Sequence, residues 1–204
     1  MKARVAVFVS GGGTNLQAII DAEKKGEIKS AEIVLVASNK ADAYALERAK
    51  NAGIEGFVCE KLEGEKRKDV ENKLLTLVLE KKIDLIVLAG FMMILSESFI
   101  QSFPGKIINV HPALIPSFCG KGFYGLKVHE AALEKGVKVT GATVHYVNEI
   151  PDGGEIIAQK AVEVLDGDTP EILQKRVMEE AEWILFPRAV EIVSANILKN
   201  REAL

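Results

Sequence analysis

Short apolar runs alternate along the chain with longer segments in which apolar residues recur every three to four positions. The first pattern is typical of buried β-strands and the second of amphipathic helices. The apolar runs predict strands over residues 4–9, 32–37, 56–58, 84–89 and 107–111. The helical spacing predicts helices from residue 15 and over residues 43–52, 65–82, 96–101 and 125–134. We therefore expect an α/β fold with a doubly wound parallel sheet and helices on both faces.

The last third of the chain departs from this alternation. Residues 138–147 alternate in polarity and residues 155–164 form another strand-like run, which indicates a hairpin-like pair at the sheet edge. A further helix should start at Pro170, which follows a capping residue, and run through Trp183. Because proline disrupts a helix interior, we expect a kink or break near Pro187.

A glycine-rich turn, Ser10-Gly-Gly-Gly-Thr14-Asn15, links the first strand to the first helix. Thr14 and Gln17 fit a capping box, so this helix should begin at Asn15. Backbone N–H groups at such a turn, together with the helix dipole, can hold a phosphate. The turn lacks the lysine of a P-loop and the third glycine of GxGxxG, which weakens the ATP and dinucleotide interpretations. Phosphate binding and a plain tight turn both remain open here.

The composition of the chain excludes several classes of protein. With 204 residues, of which 48% are hydrophobic, the chain can bury a full core as one domain. The 26 basic and 29 acidic residues argue against nonspecific nucleic-acid binding. No apolar run approaches the roughly 20 residues of a membrane span, and the start is too strand-like for a signal peptide. We therefore expect a cytoplasmic protein. Cys59 and Cys119 lack metal-ligand spacing, which indicates free thiols and no metal site.

Two polar side chains occur near the end of the strand over residues 107–111. Asn109 and His111 are two positions apart, so both should point to the same side of the sheet. Pro112 should end the strand directly behind His111. The loop over residues 112–124 has no clear period, and loops of that length are usually functional or disordered. An amide and an imidazole at a strand end, covered by a long loop, indicate an active site.

The loops after Val9, Ala89 and Val110 should gather at the carboxyl edge of the sheet, where doubly wound folds bind ligands. The apolar loop over residues 91–95 would there contact a flat apolar ligand, or simply pack into the core. We interpret His129 as a packed or partly exposed helix residue and His145 as a hydrogen-bonded sheet residue.

The polar pair has the chemistry of acyl transfer without a covalent nucleophile. Asn109 and His111 can stabilise an oxyanion, and a loop carboxylate such as Asp152 can hold His111 charged and manage protons. By spacing alone, Asp152 is one loop carboxylate among several. No GxSxG motif occurs, and Cys119 has no base beside it in sequence.

Five segments resemble the phosphoribosylglycinamide formyltransferase family, in the same order and over nearly the whole chain. They are residues 10–17, 38–43, 88–92, 108–112 and 152–154, and the combination of Asn-x-His with Asp-Gly-Gly is highly specific to the formyltransferase fold. The resemblance implies a seven-stranded, mostly parallel sheet with one late antiparallel strand. It also implies formyl transfer from 10-formyltetrahydrofolate, the cosubstrate, to the amine of glycinamide ribonucleotide in purine biosynthesis, with no metal.

By position, the resemblance assigns catalytic roles to Asn109, His111 and Asp152. Substrate phosphate and ribose contacts fall on Gly12, Gly13, Thr14, Asn15 and Glu182. Glu180 is the alternative to Glu182, because this segment is one residue longer than in relatives. The family's folate pocket maps onto Arg67, Phe91, Met92, Met93, Ile94, Leu95, Val147, Asn148 and Ile150. Many relatives have arginine at position 93, where the family's contacts are largely through backbone.

The resemblance implies direct attack of the amine on the formyl carbon and leaves related activities to weigh. Formyltetrahydrofolate hydrolase and methionyl-tRNA formyltransferase share the fold but carry an added domain. We expect a single domain over residues 1–204, with a phosphate-binding half over 1–105 and a catalytic, folate-binding half over 106–204. A non-catalytic nucleotide-binding module is the alternative of a different class. The expected partners are the two substrates, with no nucleic acid or membrane, for a monomer or homodimer.

Overall fold

A seven-stranded sheet lies at the centre of the fold. The computed structural model describes residues 1–203. The strands are β1 (Ala3–Val9), β2 (Ala31–Ser38), β3 (Glu55–Val58), β4 (Leu85–Leu88), β5 (Lys106–His111), β6 (Val139–Tyr146) and β7 (Ile156–Glu163). Their spatial order is β3-β2-β1-β4-β5-β6-β7. Strands β1 to β5 pair in parallel, whereas β6 pairs antiparallel with both neighbours. The predicted mostly parallel sheet with a late antiparallel strand is confirmed.

Within these described residues, seven α-helices and one π-helical turn connect and cover the strands. The helices are α1 (Thr14–Lys24), α2 (Tyr44–Asn51), α3 (Arg67–Glu80), α4 (Glu97–Ser102), α5 (Leu126–Lys135), α6 (Pro170–Val177) and α7 (Trp183–Glu202). The π-helical turn, Met178–Glu182, lies between α6 and α7. Thr169 caps α6 through its side chain, and Pro170 is the first helical residue, as the sequence predicts.

Each face of the sheet has its own apolar core. Along β1, Val5 and Val7 belong to the core that includes buried residues of α1, α6 and α7. Ala6 and Phe8 belong to the opposite core, beneath α3 and α4. The alternation of side chains along a strand thus supplies both layers, and the doubly wound arrangement is confirmed.

The order of the strands creates a crevice at the carboxyl ends of β1 and β4. The chain proceeds from β1 towards the β3 edge and from β4 towards the β7 edge, so the loops after β1 and β4 diverge. Such a switch point is where open α/β sheets bind ligands. Phe8 pairs with Leu88, and Leu88 pairs with Asn109, so three strands end at nearly the same level.

The predicted capping box at α1 is wrong. The helix begins at Thr14, and its N-cap is Gly13, which has a φ of 71° and no side chain to offer. Thr14 Oγ1 instead lies 3.9 Å from Sδ of Met178, and the Gln17 side chain donates to Asp21. Other contacts, one to a distant residue and one within α1, therefore occupy both side chains of the supposed box.

The predicted break at Pro187 is also wrong, because α7 continues through Pro187 to Glu202. The irregularity lies one turn earlier, in the π-helical turn that ends at Glu182. A proline ring crowds the carbonyl four residues before it. That carbonyl belongs to Trp183, the first residue after the π-helical turn.

Candidate active site

A cavity with a volume of about 850 Å³ opens at the carboxyl ends of the central strands. It contains most of the site residues that the sequence predicts: Asn15, Phe91, Met92, Met93, Ile94, Leu95, Asn109, His111, Val147, Asn148, Ile150, Asp152 and Glu182. Gly12, Gly13, Thr14 and Arg67 lie outside its lining. The volume is in the range of drug-sized ligand pockets, which are about 300–1,000 Å³.

Asn109, His111 and Asp152 come together at the inner end of this cavity. The carboxylate Oδ2 of Asp152 lies 3.5 Å from Nδ1 of His111. Its other oxygen, Oδ1, lies 3.5 Å from Nε2 of His145, and that nitrogen lies 3.3 Å from Nδ2 of Asn109. The sheet register explains the last contact, because Asn109 and His145 are direct cross-strand partners on β5 and β6. The site therefore contains four polar side chains rather than three.

Two backbone carbonyls fix the protons on the two histidines. Nε2 of His111 lies 2.8 Å from the carbonyl oxygen of Phe118, and Nδ1 of His145 lies 2.8 Å from that of Tyr146. A carbonyl can only accept, so each of these nitrogens carries a hydrogen. Nε2 of His145 lies between the Asp152 carboxylate and the Asn109 amide.

Burial and neighbouring charges act in opposite directions on the pKa values of His111 and Asp152. Burial lowers the pKa of His111 below its usual value, whereas the Asp152 carboxylate and the Phe118 carbonyl act to raise it. Burial also acts to raise the pKa of the Asp152 carboxyl, but His145, His111 and the Gly120 N–H together hold that pKa below its usual range. Asp152 is therefore an anion at neutral pH, and it is the group that favours a charged His111.

The loop over residues 112–124 covers the site. The carbonyl of Phe118 accepts from His111, and the N–H of Gly120 donates to Oδ2 of Asp152 at 2.8 Å. Phe118 and Asp152 have positive φ angles of 49° and 56°, which non-glycine residues seldom adopt. Both residues contact His111, so the surrounding structure that holds them in this conformation also positions the imidazole.

A tight turn after β6 presents Asp152. The Asn148 side chain accepts from the N–H of Ile150 and donates to the carbonyl of Gly153. Gly154 packs so closely on the strand that a Cβ there would lie 1.7 Å from the carbonyl oxygen of Tyr146. The second glycine of Asp-Gly-Gly is thus required for this turn to lie against β6.

The residues predicted to hold phosphate and ribose divide into two groups. Asn15 lines the cavity and donates from Nδ2 to Oε2 of Glu182 at 2.6 Å, which joins α1 to the π-helical turn. Burial raises the pKa of Glu182. Gly12, Gly13 and Thr14 form the adjoining turn. Glu180 is exposed, whereas Glu182 is buried and lines the cavity, so the geometry favours Glu182.

The apolar loop after β4 supports both interpretations of its sequence. Phe91 and Met93 pack against the core beneath α3, and Leu95 is part of that core. Met92 and Ile94 are 53% and 60% exposed and line the cavity. Alternate residues thus anchor the loop and offer apolar surface to a ligand.

Arg67 does not join the other predicted folate contacts. It is the first residue of α3, and its Nε lies 3.5 Å from Oε1 of Glu71. The Glu71 carboxylate also accepts from the N–H and the hydroxyl of Ser96, the N-cap of α4. Arg67 therefore lies near the start of α4, beyond the cavity lining.

Sequence reasoning missed the part that His145 takes in the site and the backbone contacts that the covering loop makes there. His145 is a hydrogen-bonded sheet residue, as the sequence predicts, but the partners of its Nε2 are the site residues Asn109 and Asp152. The available signal was the alternation along β6, which could have placed His145 beside Asn109 once the antiparallel register was known. His129 is fully buried on α5 and also lines the cavity, with no hydrogen-bond partner for either ring nitrogen among the described residues.

The formyl transferase family matches this chain over residues 3–190. The chain belongs to the formyl transferase family. It is similar to phosphoribosylglycinamide formyltransferase of Haemophilus influenzae, at 39% identity over 201 residues, which cover 98% of this chain and 92% of that protein. The chloroplastic phosphoribosylglycinamide formyltransferase of Arabidopsis thaliana is 41% identical over 202 residues, which cover 98% of this chain and 68% of that protein. This formyl transferase is therefore an enzyme.

A longer relative and a solved structure extend the comparison. The trifunctional purine biosynthetic protein adenosine-3 of Gallus gallus is 45% identical over 202 residues, but this chain spans only 19% of that protein. The crystal structure of phosphoribosylglycinamide formyltransferase from Brucella melitensis superposes with a TM-score of 0.86 at 42% identity and covers 96% of this chain and 97% of that one. The similarity therefore includes the whole sheet.

Two further properties concern the described part of the formyl transferase. Within residues 1–203, no helix is long and apolar enough to cross a membrane. Over the same residues, no group of three or more histidine, cysteine or acidic side chains could hold a metal ion. Cys59 and Cys119 are free thiols, as predicted.

Proposed function

We propose that this formyl transferase moves the formyl group of 10-formyltetrahydrofolate to the amine of glycinamide ribonucleotide, in de novo purine biosynthesis. The products are formylglycinamide ribonucleotide and tetrahydrofolate. The observation that carries this proposal is the meeting of Asn109, His111 and Asp152 inside the 850 Å³ cavity. The relatives of about 40% identity whose names contain this activity support the choice of substrates.

The two ends of the cavity differ in polarity, which suits the two proposed substrates. Asn15 and Glu182 form a polar end beside the glycine turn, which suits the ribose and phosphate of a ribonucleotide. Met92 and Ile94 on one loop, and Val147 and Ile150 on another, form an apolar end that suits a flat pteridine ring. In this arrangement the amine and the formyl group would meet beside Asn109 and His111.

The proposed reaction is direct acyl transfer. The amine nitrogen attacks the formyl carbon, and the resulting oxyanion is stabilised by the amide N–H of Asn109 and the positive charge of His111. Asp152 keeps that charge on His111 and assists transfer of the proton that the amine loses. The bond from the formyl carbon to N10 of the folate then breaks, and N10 gains a proton. One C–N bond forms, one breaks, and the proton balance is even.

A single assay tests the proposal. Tetrahydrofolate release from 10-formyltetrahydrofolate is measured with and without glycinamide ribonucleotide. Release that requires the ribonucleotide is the expected result. Release without it would mean that the enzyme is a hydrolase, and no release under either condition would mean a binding protein without this activity. A cytoplasmic location, a monomer or homodimer, and the absence of nucleic-acid partners stay predictions from the sequence.

A further inference from the structure

Helix α2 holds two carbonyls of the glycine turn. The carbonyl oxygen of Gly11 accepts from the backbone N–H of Ala45 at 3.1 Å. The carbonyl oxygen of Gly12 accepts from Nε of Arg48 at 2.8 Å. Both carbonyls therefore point towards α2, one at its first turn and one at its last.

This orientation determines where the N–H groups of the turn point. In a trans peptide the carbonyl of one residue and the N–H of the next point in opposite directions. The N–H groups of Gly12 and Gly13 consequently face away from α2. Among the described residues, neither of them donates to a protein acceptor. Successive unpaired N–H groups of this kind form a concave site for anions.

The glycine turn lies directly against α2. Gly13 has a φ of 71°, and a Cβ at this position would lie 2.6 Å from Cβ of Ala45. Only glycine allows both that backbone conformation and that close approach. The position of α2 therefore sets the shape of the turn.

Arg48 is itself held in place from three directions. Beyond Nε, its Nη1 donates to Oε1 of Gln17 on α1 at 3.0 Å. Its guanidinium carbon lies 4.9 Å from the centre of the Tyr44 ring, a cation–π distance. A planar guanidinium that bonds a loop carbonyl and a neighbouring helix at once is a rigid connection, which lysine cannot reproduce.

We propose that Arg48 is a positioning residue for the phosphate turn, because its bond to the Gly12 carbonyl directs the N–H groups of Gly12 and Gly13 towards the phosphate of the substrate. Its positive charge also favours an anion beside the turn. The inference rests on the proposed function, since it concerns the phosphate of the ribonucleotide. Arg48 acts through the turn and needs no contact with the reacting atoms.

The test compares three variants with the wild type. Arg48→Met keeps the stem of the side chain and removes its donors and charge, and Arg48→Lys keeps the charge without the planar donors. Lys50→Met is the matched control, because Lys50 is exposed in the same last turn of α2 and its loss changes the net charge equally. Ribose 5-phosphate is titrated into each protein, and the amide NMR signals of Gly12 and Gly13 are followed. Steady-state constants for both substrates are measured in parallel.

We expect Arg48→Met to weaken ribose 5-phosphate binding and to raise the KM for glycinamide ribonucleotide by about tenfold or more, the scale of one charged hydrogen bond. The KM for 10-formyltetrahydrofolate and kcat should stay within about twofold, since the reacting groups are not touched. For Arg48→Lys, the affinity for ribose 5-phosphate and the KM for glycinamide ribonucleotide should lie between those of the wild type and of Arg48→Met. Lys50→Met should match the wild type.

The possible outcomes separate this inference from the proposed function. Wild-type binding of ribose 5-phosphate by Arg48→Met, or equal losses for both substrates, would overturn the role of Arg48. Failure of the wild type to shift the Gly12 and Gly13 amides would also overturn it. If the wild type binds ribose 5-phosphate in an Arg48-dependent manner but transfers no formyl group, the proposed function fails and the role of Arg48 stands. If Arg48→Met does not fold, the ribose 5-phosphate titration and the steady-state constants of Arg48→Lys test the role of Arg48 instead.

Discussion

Asp152 is the residue on which the polar group of the site depends. It contacts His111, His145 and the N–H of Gly120, and each of these contacts favours the carboxylate form. His111 lies in surroundings that disfavour its charge, because burial lowers its pKa. The imidazolium that the proposed mechanism needs therefore depends on the negative charge of Asp152.

Replacing Asp152 with asparagine should change the pH dependence of turnover as well as its size. Without the carboxylate, the pKa of His111 falls further, so the protonated ring is lost at a lower pH. The alkaline limb of the pH–rate profile should shift to lower pH, and kcat at neutral pH should fall by about 10²–10³, the range for one electrostatic contributor. A profile with an unshifted alkaline limb would show that Asp152 does not control the charge of His111.

At the residue scale, the sequence predicts the strand residues of the site better than the loop residues. Asn109 and His111 could be predicted from alternation and from Pro112, because these are local properties of one strand. Asp152 could not be singled out by spacing, since its role depends on a turn that returns it to β5. The Phe118 carbonyl and the Gly120 N–H leave no mark in side-chain chemistry at all.

At the scale of elements, the sequence predicts every strand and the helices α1 to α5 to within a few residues, because hydrophobic period is local. It misplaces the boundary between α6 and α7, which it expects near Pro187. The π-helical turn Met178–Glu182 has no such local pattern. A π turn holds one residue more than an α turn. With this additional residue in the turn, Glu182 is buried and lines the cavity.

Deleting Glu180 should convert the π-helical turn into a regular α turn. Glu180 is exposed, and the residues on either side would keep their orientation, so the Asn15–Glu182 contact should survive. The variant should unfold at the wild-type temperature or above, and its KM for glycinamide ribonucleotide should change by no more than about threefold.

The matched control is deletion of Asn72, an exposed residue within the regular helix α3. That deletion turns the buried Leu74 and Val78 by about 100° around the helix axis and should lower the melting temperature. If the Glu180 deletion destabilises the protein as much as the Asn72 deletion does, the π-helical turn cannot lose a residue and become a regular α turn at no cost in stability.

At the scale of the whole molecule, the two halves of the chain share one sheet. Strand β4 belongs to the half over residues 1–105 and pairs in parallel with β5 of the half over residues 106–204. The cavity takes residues from both halves. We therefore propose that the chain is a single cooperative unit, and urea unfolding should show one transition by circular dichroism and by Trp183 fluorescence. Separate transitions for the two probes would refute this proposal.

His129 should make the stability of the whole protein sensitive to acid. Burial, and to a lesser extent His111, lowers its pKa to about 4. As pH falls below the ordinary value near 6.5, the unfolded chain takes up a proton that the folded protein does not, so folding loses stability. Between about pH 7.5 and pH 5 this one residue should cost about 2 kcal/mol in the free energy of unfolding.

The variant His129→Leu checks this linkage, because leucine fills a similar volume and does not titrate. Urea unfolding at both pH values should show a smaller loss of stability for the variant than for the wild type, by about 2 kcal/mol. Equal losses for the two proteins would mean that His129 titrates alike in the folded and unfolded states.

The central claim is that Asn109 and His111 on β5, together with Asp152, catalyse formyl transfer to the amine of the ribonucleotide. The most direct measurement uses 10-formyltetrahydrofolate with a ¹³C-labelled formyl carbon and follows the label by NMR, with wild-type protein and with Asn109→Ala. The account predicts that the label appears as an amide on glycinamide ribonucleotide, about 10²–10³ more slowly for a folded Asn109→Ala variant. Label released as free formate, or transfer at the wild-type rate by Asn109→Ala, would contradict it.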